Sequence, residues 1–531
     1  MSNTFQATYM FTAGECHAPH PLRKRAPVYA ATGSRNASAG GWEERSDRSP
    51  RSLSFFVDRL TLCCLNVYGL RMSGLKRNVG VLGAVAISLA VMGPSMSVSL
   101  NPQAIAEQVG PAVPMVFVIA VIPLSLITFS FVVLTKRRGS AGSLFGLVGA
   151  EIGPRTGTAA GIWLLACYIV GSAITALTFG IFTTTLIQEL GVNSSLDLLA
   201  ILLALLVLPL TTYLAGRSMR TLGRLLLFLE GFTMLAIVFV MGLTFYRLVT
   251  VGGPQGQTVD WGVFRFEGVT AGAIALALTF ALLSSAGFEG AASAGEETED
   301  PRRTIPRALV WTTIVTSMFF IGVTTVAVWA FGVKPNELEK FTASGSVPAD
   351  IANAYVGDAL GDLITLGGAI SSFACMIGAQ VAGGRILFAF GRDGVLPSRF
   401  GQLSAQETPV KGSTAVGIAA LLFTAFAATV TGFTAFSAFE LTSDTAGVIF
   451  AGAYASACLA ATFVLWRKPS GRLVALLPAV GVVILLGVIA LQLFPVPSGW
   501  ELIAPVAAIL VLIGGGIFGR ARGNRAAQAL R

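Results

Sequence analysis

The chain has 531 residues, of which 54% are hydrophobic and 12% charged, with 60 Gly and a net charge of +9. A soluble domain carries about a quarter charged residues, so this composition excludes an ordinary soluble enzyme, and apolar runs of about 20 residues with short polar gaps indicate a multi-spanning, all-α membrane protein. The positive charge is explained without nucleic acid, by the Lys and Arg that cytoplasmic loops carry.

Residues 1–71 read differently from the rest: polar, rich in Arg, Ser and Ala, with no long apolar run. Phe55 to Leu70 is interrupted by Asp58 and Arg59 and is too charged to span. The expectation is a disordered tail, with Met72-Ser73-Gly74 resembling a second start site. His17 and His20, the only histidines, form a Cys-His-x-x-His group with Cys16. The group is read as incidental, and no metal or cofactor is expected.

The pattern beyond predicts about twelve spans, at 79–109, 112–134, 157–187, 195–214, 223–247, 268–291, 306–332, 360–390, 413–431, 441–465, 472–493 and 501–519. With both termini placed in the cytoplasm, all but four of the 36 Lys and Arg (Arg247, Arg265, Lys334 and Lys340) fall on the cytoplasmic side. Removing one span would invert every later loop and erase that bias. The domain reading is residues 72–248, 249–467 and 468–519 as three membrane-spanning stretches and 520–531 as a basic tail.

Two spans are broken. Span 1 is interrupted at Gly93-Pro94-Ser95, where proline cannot donate the helical hydrogen bond. Span 6 loosens into Ser284-Ser285-Ala286-Gly287 and then carries Glu289 at lipid depth. Hydrocarbon tolerates freed backbone groups only where they bind something or line a cavity, and paired breaks in two halves of a chain mark a midplane binding site. The ordinary alternative for Gly93-Pro94 alone is a simple kink. Glu289, and Glu230 in span 5, are intramembrane carboxylates and so functional candidates; the plainer reading of each is a buried hydrogen bond between helices. Glu440 and Asp444, four apart on one helix face, are expected to line an outer vestibule, to attract cationic substrates, or simply to start a solvated helix.

Phe288-Glu289-Gly290, Gly295-Glu296-Glu297 and Asp300-Pro301-Arg302-Arg303-Thr304-Ile305-Pro306 resemble the sixth-helix signature of the amino acid–polyamine–organocation permeases. Gly384-Arg385, then Gly391-Arg392-Asp393-Gly394 and Pro397, are similar to the end of that family's eighth helix. The resemblance covers residues 75–519. It implies a five-plus-five inverted repeat with broken helices 1 and 6, plus two C-terminal helices. It further implies a substrate carboxylate at the amides of Ser95, Met96 and Ser97 beside Gly93. The substrate ammonium would meet the carbonyls of Leu282, Leu283 and Ser285, with Ser284 and Gly287 completing the break. Glu289, Glu230 or both would carry a coupled proton. Relatives place an aromatic gate where this chain has Leu283, so the expectation is either that Phe280 or Phe288 closes the pocket or that the lid is aliphatic. The loop 296–307 is expected either to gate the cytoplasmic side by pairing with Arg385, Arg392 or Asp393, or to be solvated with ordinary ion pairs.

The implied function is a secondary active transporter of an amino acid or related amine in the plasma membrane, working by alternating access as a proton symporter or exchanger, with sodium left open. The alternatives are a polyamine or organic cation carrier and, of another class, a channel or a non-transporting amino acid sensor. The implied partners are a small-molecule substrate and the lipid bilayer. No Gly-x-x-x-x-Gly-Lys-[Ser/Thr] loop is present to use ATP, and no catalytic set appears. Substrate identity and oligomeric state stay open.

Overall fold

The computed structural model describes residues 80–529 apart from 139–142, 190, 193–195, 218–219, 294–297, 299, 405–407 and 494–498. The N-terminal segment 1–71, with its Cys16, His17 and His20, lies outside the described residues. So do Glu296 and Glu297 of the expected gating loop.

Among the described residues the architecture is all-helical. The first span is two helices, α1 (Val81–Met92) and α2 (Pro94–Val109), and a short 3-10 turn leads into α3 (Val113–Arg138). There follow a short α4 (Ser143–Glu151), α5 (Pro154–Glu189), α6 (Asp197–Ala215) and α7 (Arg220–Thr250). The sixth span is again broken, into α8 (Ala271–Ser284) and a single turn α9 (Gly290–Ser293). The second half continues with α10 (Pro301–Phe331), the short α11 (Pro335–Thr342) and α12 (Val347–Tyr355), then α13 (Asp358–Arg392) and α14 (Val410–Val430). It ends with α15 (Ala435–Trp466), α16 (Leu476–Gln492) and α17 (Ile503–Ala529), the last running on through the basic tail as helix.

Nine helical runs are long and apolar enough to cross a membrane among the described residues, with α8 and α16 as shorter apolar helices. The expected twelve are not reached on length and composition. Val81–Arg137 counts as one run, because the 3-10 turn at Gly110-Pro111-Ala112 carries spans 1 and 2 into each other. The break shortens α8 below a full crossing.

Spans five places apart are neighbours. α2 packs on α8, α3 on α10, α5 on α13 and α6 on α14, so four of the first five spans touch their counterparts. Apolar side chains face lipid as readily as protein, so close backbone approach holds such a bundle together. At the α13–α14 crossing a Cβ on Gly412 would lie 2.6 Å from Gly384 O, which only glycine permits. α16 packs on α15 and α17 on α5, outside the paired set.

Candidate functional site

The first break is one residue long. Gly93 adopts φ 58° and ψ 60°, ends α1 by donating its N–H to Leu89 O, and starts α2 with Pro94 in the first turn. Proline there wastes no hydrogen bond and has the right φ. The second break is longer. Ser285 N–H and Ala286 N–H fold back to Leu282 O and Leu283 O at 3.1 and 2.9 Å, and Gly287 turns the chain at φ 98°. The two breaks meet: a Cβ on Gly287 would lie 3.0 Å from the backbone carbon of Val91.

Three side chains that the sequence did not single out join the broken ends. Ser88 Oγ donates to Phe288 O at 2.6 Å and accepts from Ala291 N–H at 3.0 Å, so one hydroxyl from α1 serves both sides of the span 6 break. Asn101 Nδ2 donates to Ser284 Oγ at 2.6 Å, tying α2 to α8. Cys375 Sγ on α13 donates to Val91 O at 2.8 Å. Buried polar groups need partners, and each of these is a small polar residue inside an apolar helix. That is the signal that could have found them.

Glu289 is buried at 4% exposure. Its Oε1 accepts from Tyr168 OH of α5 at 3.3 Å, and its Oε2 accepts from Tyr454 OH of α15 at 2.8 Å and from Gly287 N–H at 3.1 Å. Glu289 therefore fastens its own helix break to two flanking helices. Glu230, 3% exposed, is on another side. Its Oε1 accepts from Ser95 N–H at 3.0 Å. Ser371 Oγ and Ser95 Oγ stand close to the same carboxylate.

Between the breaks lies a cavity of about 60 Å³. Met92, Met96 and Ser97 line it from the first break, and Leu283, Ala286 and Gly287 from the second. Asn101, Tyr168 and Thr175 give it polar edges, and Phe450 of α15 and Ala379 of α13 close it with carbon. No charged side chain is among its lining residues.

The expected site residues thus separate into groups. Met96, Ser97, Leu283 and Gly287 reach the cavity. Gly93 forms the hinge beside it, and Ser95 turns its amide to Glu230 instead. Ser97 N–H bonds to Gly93 O at 2.9 Å. Leu282 and Ser284 face other neighbours: Leu282 lines a smaller void, and Ser284 Oγ donates to Phe280 O. Ser285 caps the end of α8. Phe288 is fully buried against Phe131 and Tyr454, with ring centroids 5.4 and 5.8 Å away. Phe280 lines a different cavity of about 340 Å³, together with Glu107, Glu440, Asp444 and Glu501. Phe450 is thus the aromatic ring at the central cavity besides Tyr168. Arg385 is exposed on α13, and Arg392 pairs with Asp393 at 2.8 Å.

Residues 79–517 match the family model described as amino acid permease. The chain is 24% identical over 343 residues to the branched-chain amino acid permease BcaP of Lactococcus lactis, covering 62% of this chain and 71% of that one. It is 25% identical to the low-affinity putrescine importer PlaP of Escherichia coli K12, covering 66% and 74%. It is 28% identical to the vacuolar cationic amino acid transporter 4 of Arabidopsis thaliana, covering 60% of this chain and 53% of that relative. A solved Na+-coupled sialic acid symporter in a substrate-bound outward-open state aligns over 84% of this chain and 98% of its own, at 11% identity and a TM-score of 0.48. With a family match across most of its length, the chain belongs to the amino acid permease family.

Proposed function

We propose that this permease moves a neutral amino acid as its zwitterion, in symport with a proton, across the plasma membrane with both termini in the cytoplasm. The observation that carries the reading is the central cavity, lined from both breaks and by no charged side chain. A half-helix N-terminus attracts a carboxylate, and freed carbonyls attract an ammonium group. The backbone of two breaks therefore serves the main-chain part of any amino acid. A charged side chain would need a buried counter-charge, and the lining supplies none.

Glu230 is the proposed proton carrier. It occupies the positive end of α2 from behind, through Ser95 N–H. When ionised it neutralises that helix end; when protonated it leaves the field to a substrate carboxylate arriving at the cavity side. Proton and substrate then favour each other's binding, and by linkage the coupling is reciprocal. Glu289, held by three donors, acts instead as the clamp that Tyr168 and Tyr454 keep in place.

A second reading is a polyamine or organic cation carrier. What favours it is the cavity that Glu107, Glu440, Asp444 and Glu501 share. The relative PlaP is named a putrescine importer. A thermal-shift screen of the twenty amino acids and common polyamines on purified protein separates the two. A ligand of the folded state at 100 times its Kd stabilises by about 2.7 kcal/mol. Neutral amino acids should raise the melting temperature and polyamines should not; the reverse pattern would replace the first reading with the second.

A further inference from the structure

The space between the breaks does not end at Phe450. Beyond that ring lies a second void of about 10 Å³, near the least that admits a single water. Leu283 and Phe450 line both spaces and form the partition between them. The rest of the small void's wall is carbon or polar groups already engaged. Leu282, Ala451, Leu485 and Val488 supply the carbon. Thr279 Oγ1 donates to Ala275 O at 3.0 Å and accepts from Gln492. Tyr454 OH donates to Glu289 Oε2. Neither hydroxyl is left over to hold water or charge, so the void suits apolar atoms.

Its far wall is fixed and its near wall is not. At Gly447 a Cβ would lie 2.0 Å from Thr279 Cγ2, so α15 and α8 already touch there. The near wall is the Phe450 ring, tilted on Tyr454 at a centroid distance of 5.5 Å. A ring hung on two torsions can be exchanged for a smaller group without moving a helix.

We propose that this void is the distal end of a side-chain subsite for long or aromatic apolar side chains, and that Phe450 is the partition that withholds it. The proposal rests on the reading that the central cavity takes a neutral zwitterion. In the natural protein the subsite stops at Phe450, and short aliphatic side chains fit best. Shortening residue 450 joins the two spaces and admits side chains the size of methionine or phenylalanine.

Counterflow in proteoliposomes, with labelled alanine, valine, methionine, phenylalanine and putrescine, tests this. Phe450→Ala and the milder Phe450→Leu should each raise the phenylalanine-to-alanine rate ratio about tenfold, and Val488→Leu in the Phe450→Ala background should take back at least half of that gain. A general fault, such as a disturbed Tyr454–Glu289 bond, would lower all rates and leave the ratio unmoved. An unchanged ratio in Phe450→Leu protein that is monodisperse and still exchanges alanine overturns the partition and leaves the zwitterion reading intact. So does a gain that Val488→Leu fails to reverse. Exchange of putrescine alone by the natural protein overturns the underlying reading, and the subsite falls with it.

Discussion

Glu230 Oε1 accepts the Ser95 amide at 3.0 Å, so a carboxylate from α7 caps the half-helix α2 without being among the residues that line the central cavity. The N-terminal amides of a half-helix are a ready anion site, and here one of them is already taken by the protein itself. On the proposed mechanism the substrate's carboxylate and Glu230 would compete for one helix end, and a proton on Glu230 would settle the competition.

Glu230→Gln should therefore separate transport from its driving force. Glutamine keeps an oxygen for Ser95 N–H, so the fold survives. Exchange of labelled substrate should continue, while accumulation driven by an imposed pH gradient should vanish. Gradient-driven accumulation that matches the unsubstituted protein would contradict the assignment. Glu230→Ala should instead lower stability by about 1–3 kcal/mol, the cost of a buried donor left without an acceptor.

Ser88 joins α1 to both sides of the span 6 break. Ser88→Ala removes one donor and one acceptor at once and leaves Phe288 O and Ala291 N–H buried. A loss of about 1–3 kcal/mol follows, read as a lower melting temperature in detergent. An unshifted melting temperature would mean that the two broken spans do not depend on this hydroxyl.

Gly287 holds φ 98° with the Val91 backbone 3.0 Å from where a Cβ would sit. Gly287→Ala meets both the backbone strain, about 1–3 kcal/mol, and the contact with α1. Uptake should fall about tenfold or more, since each 1.36 kcal/mol on a barrier is tenfold in rate. Normal uptake by the variant would show that the breaks need not lie this close.

Asp350 stands on α12, outside the spans. Burial pushes its carboxyl above the ordinary value of 3.8, against the opposing effect of Ser344 Oγ, which donates to Oδ2 at 2.6 Å. The folded protein holds this proton more tightly than the unfolded chain does. Its stabilising contribution is complete below the ordinary value and is lost as pH rises through the raised one. Asp350→Asn should be more stable than the natural protein at pH 7, and the difference should shrink towards zero on acidification, as melting temperatures across the range would show. A difference that does not vary with pH would contradict the assignment.

Much of the frame was legible in the sequence, because a helix that crosses lipid leaves a long apolar run and Gly93-Pro94 can hardly continue a helix. The matching break at Ser284–Gly287 was legible for the same reason. What the sequence could not show was direction. Ser95, Met96 and Ser97 are consecutive, yet Met96 and Ser97 face the cavity and the Ser95 amide faces Glu230. Such an outcome depends on how α2 is rotated between α7 and α13, which is set by packing far along the chain. Phe280 and Phe288 both lie beside the break, but one reaches the acidic cavity and the other the Phe131–Tyr454 cluster. The ring at the cavity comes from α15, at Phe450, about 160 residues away in a helix whose register no local pattern fixes. Ser88 and Cys375 left only a weak signal for a related reason: a lone small polar residue in an apolar helix is common, and only its partner gives it a role.

The central claim is that the space between the two breaks carries neutral zwitterions. Counterflow by the purified, unsubstituted protein in proteoliposomes tests it most directly. Preloading with an unlabelled neutral aliphatic amino acid should drive a transient overshoot of the labelled form, and preloading with putrescine or lysine should not. No overshoot with any neutral amino acid, or an overshoot with the cations alone, would contradict the account.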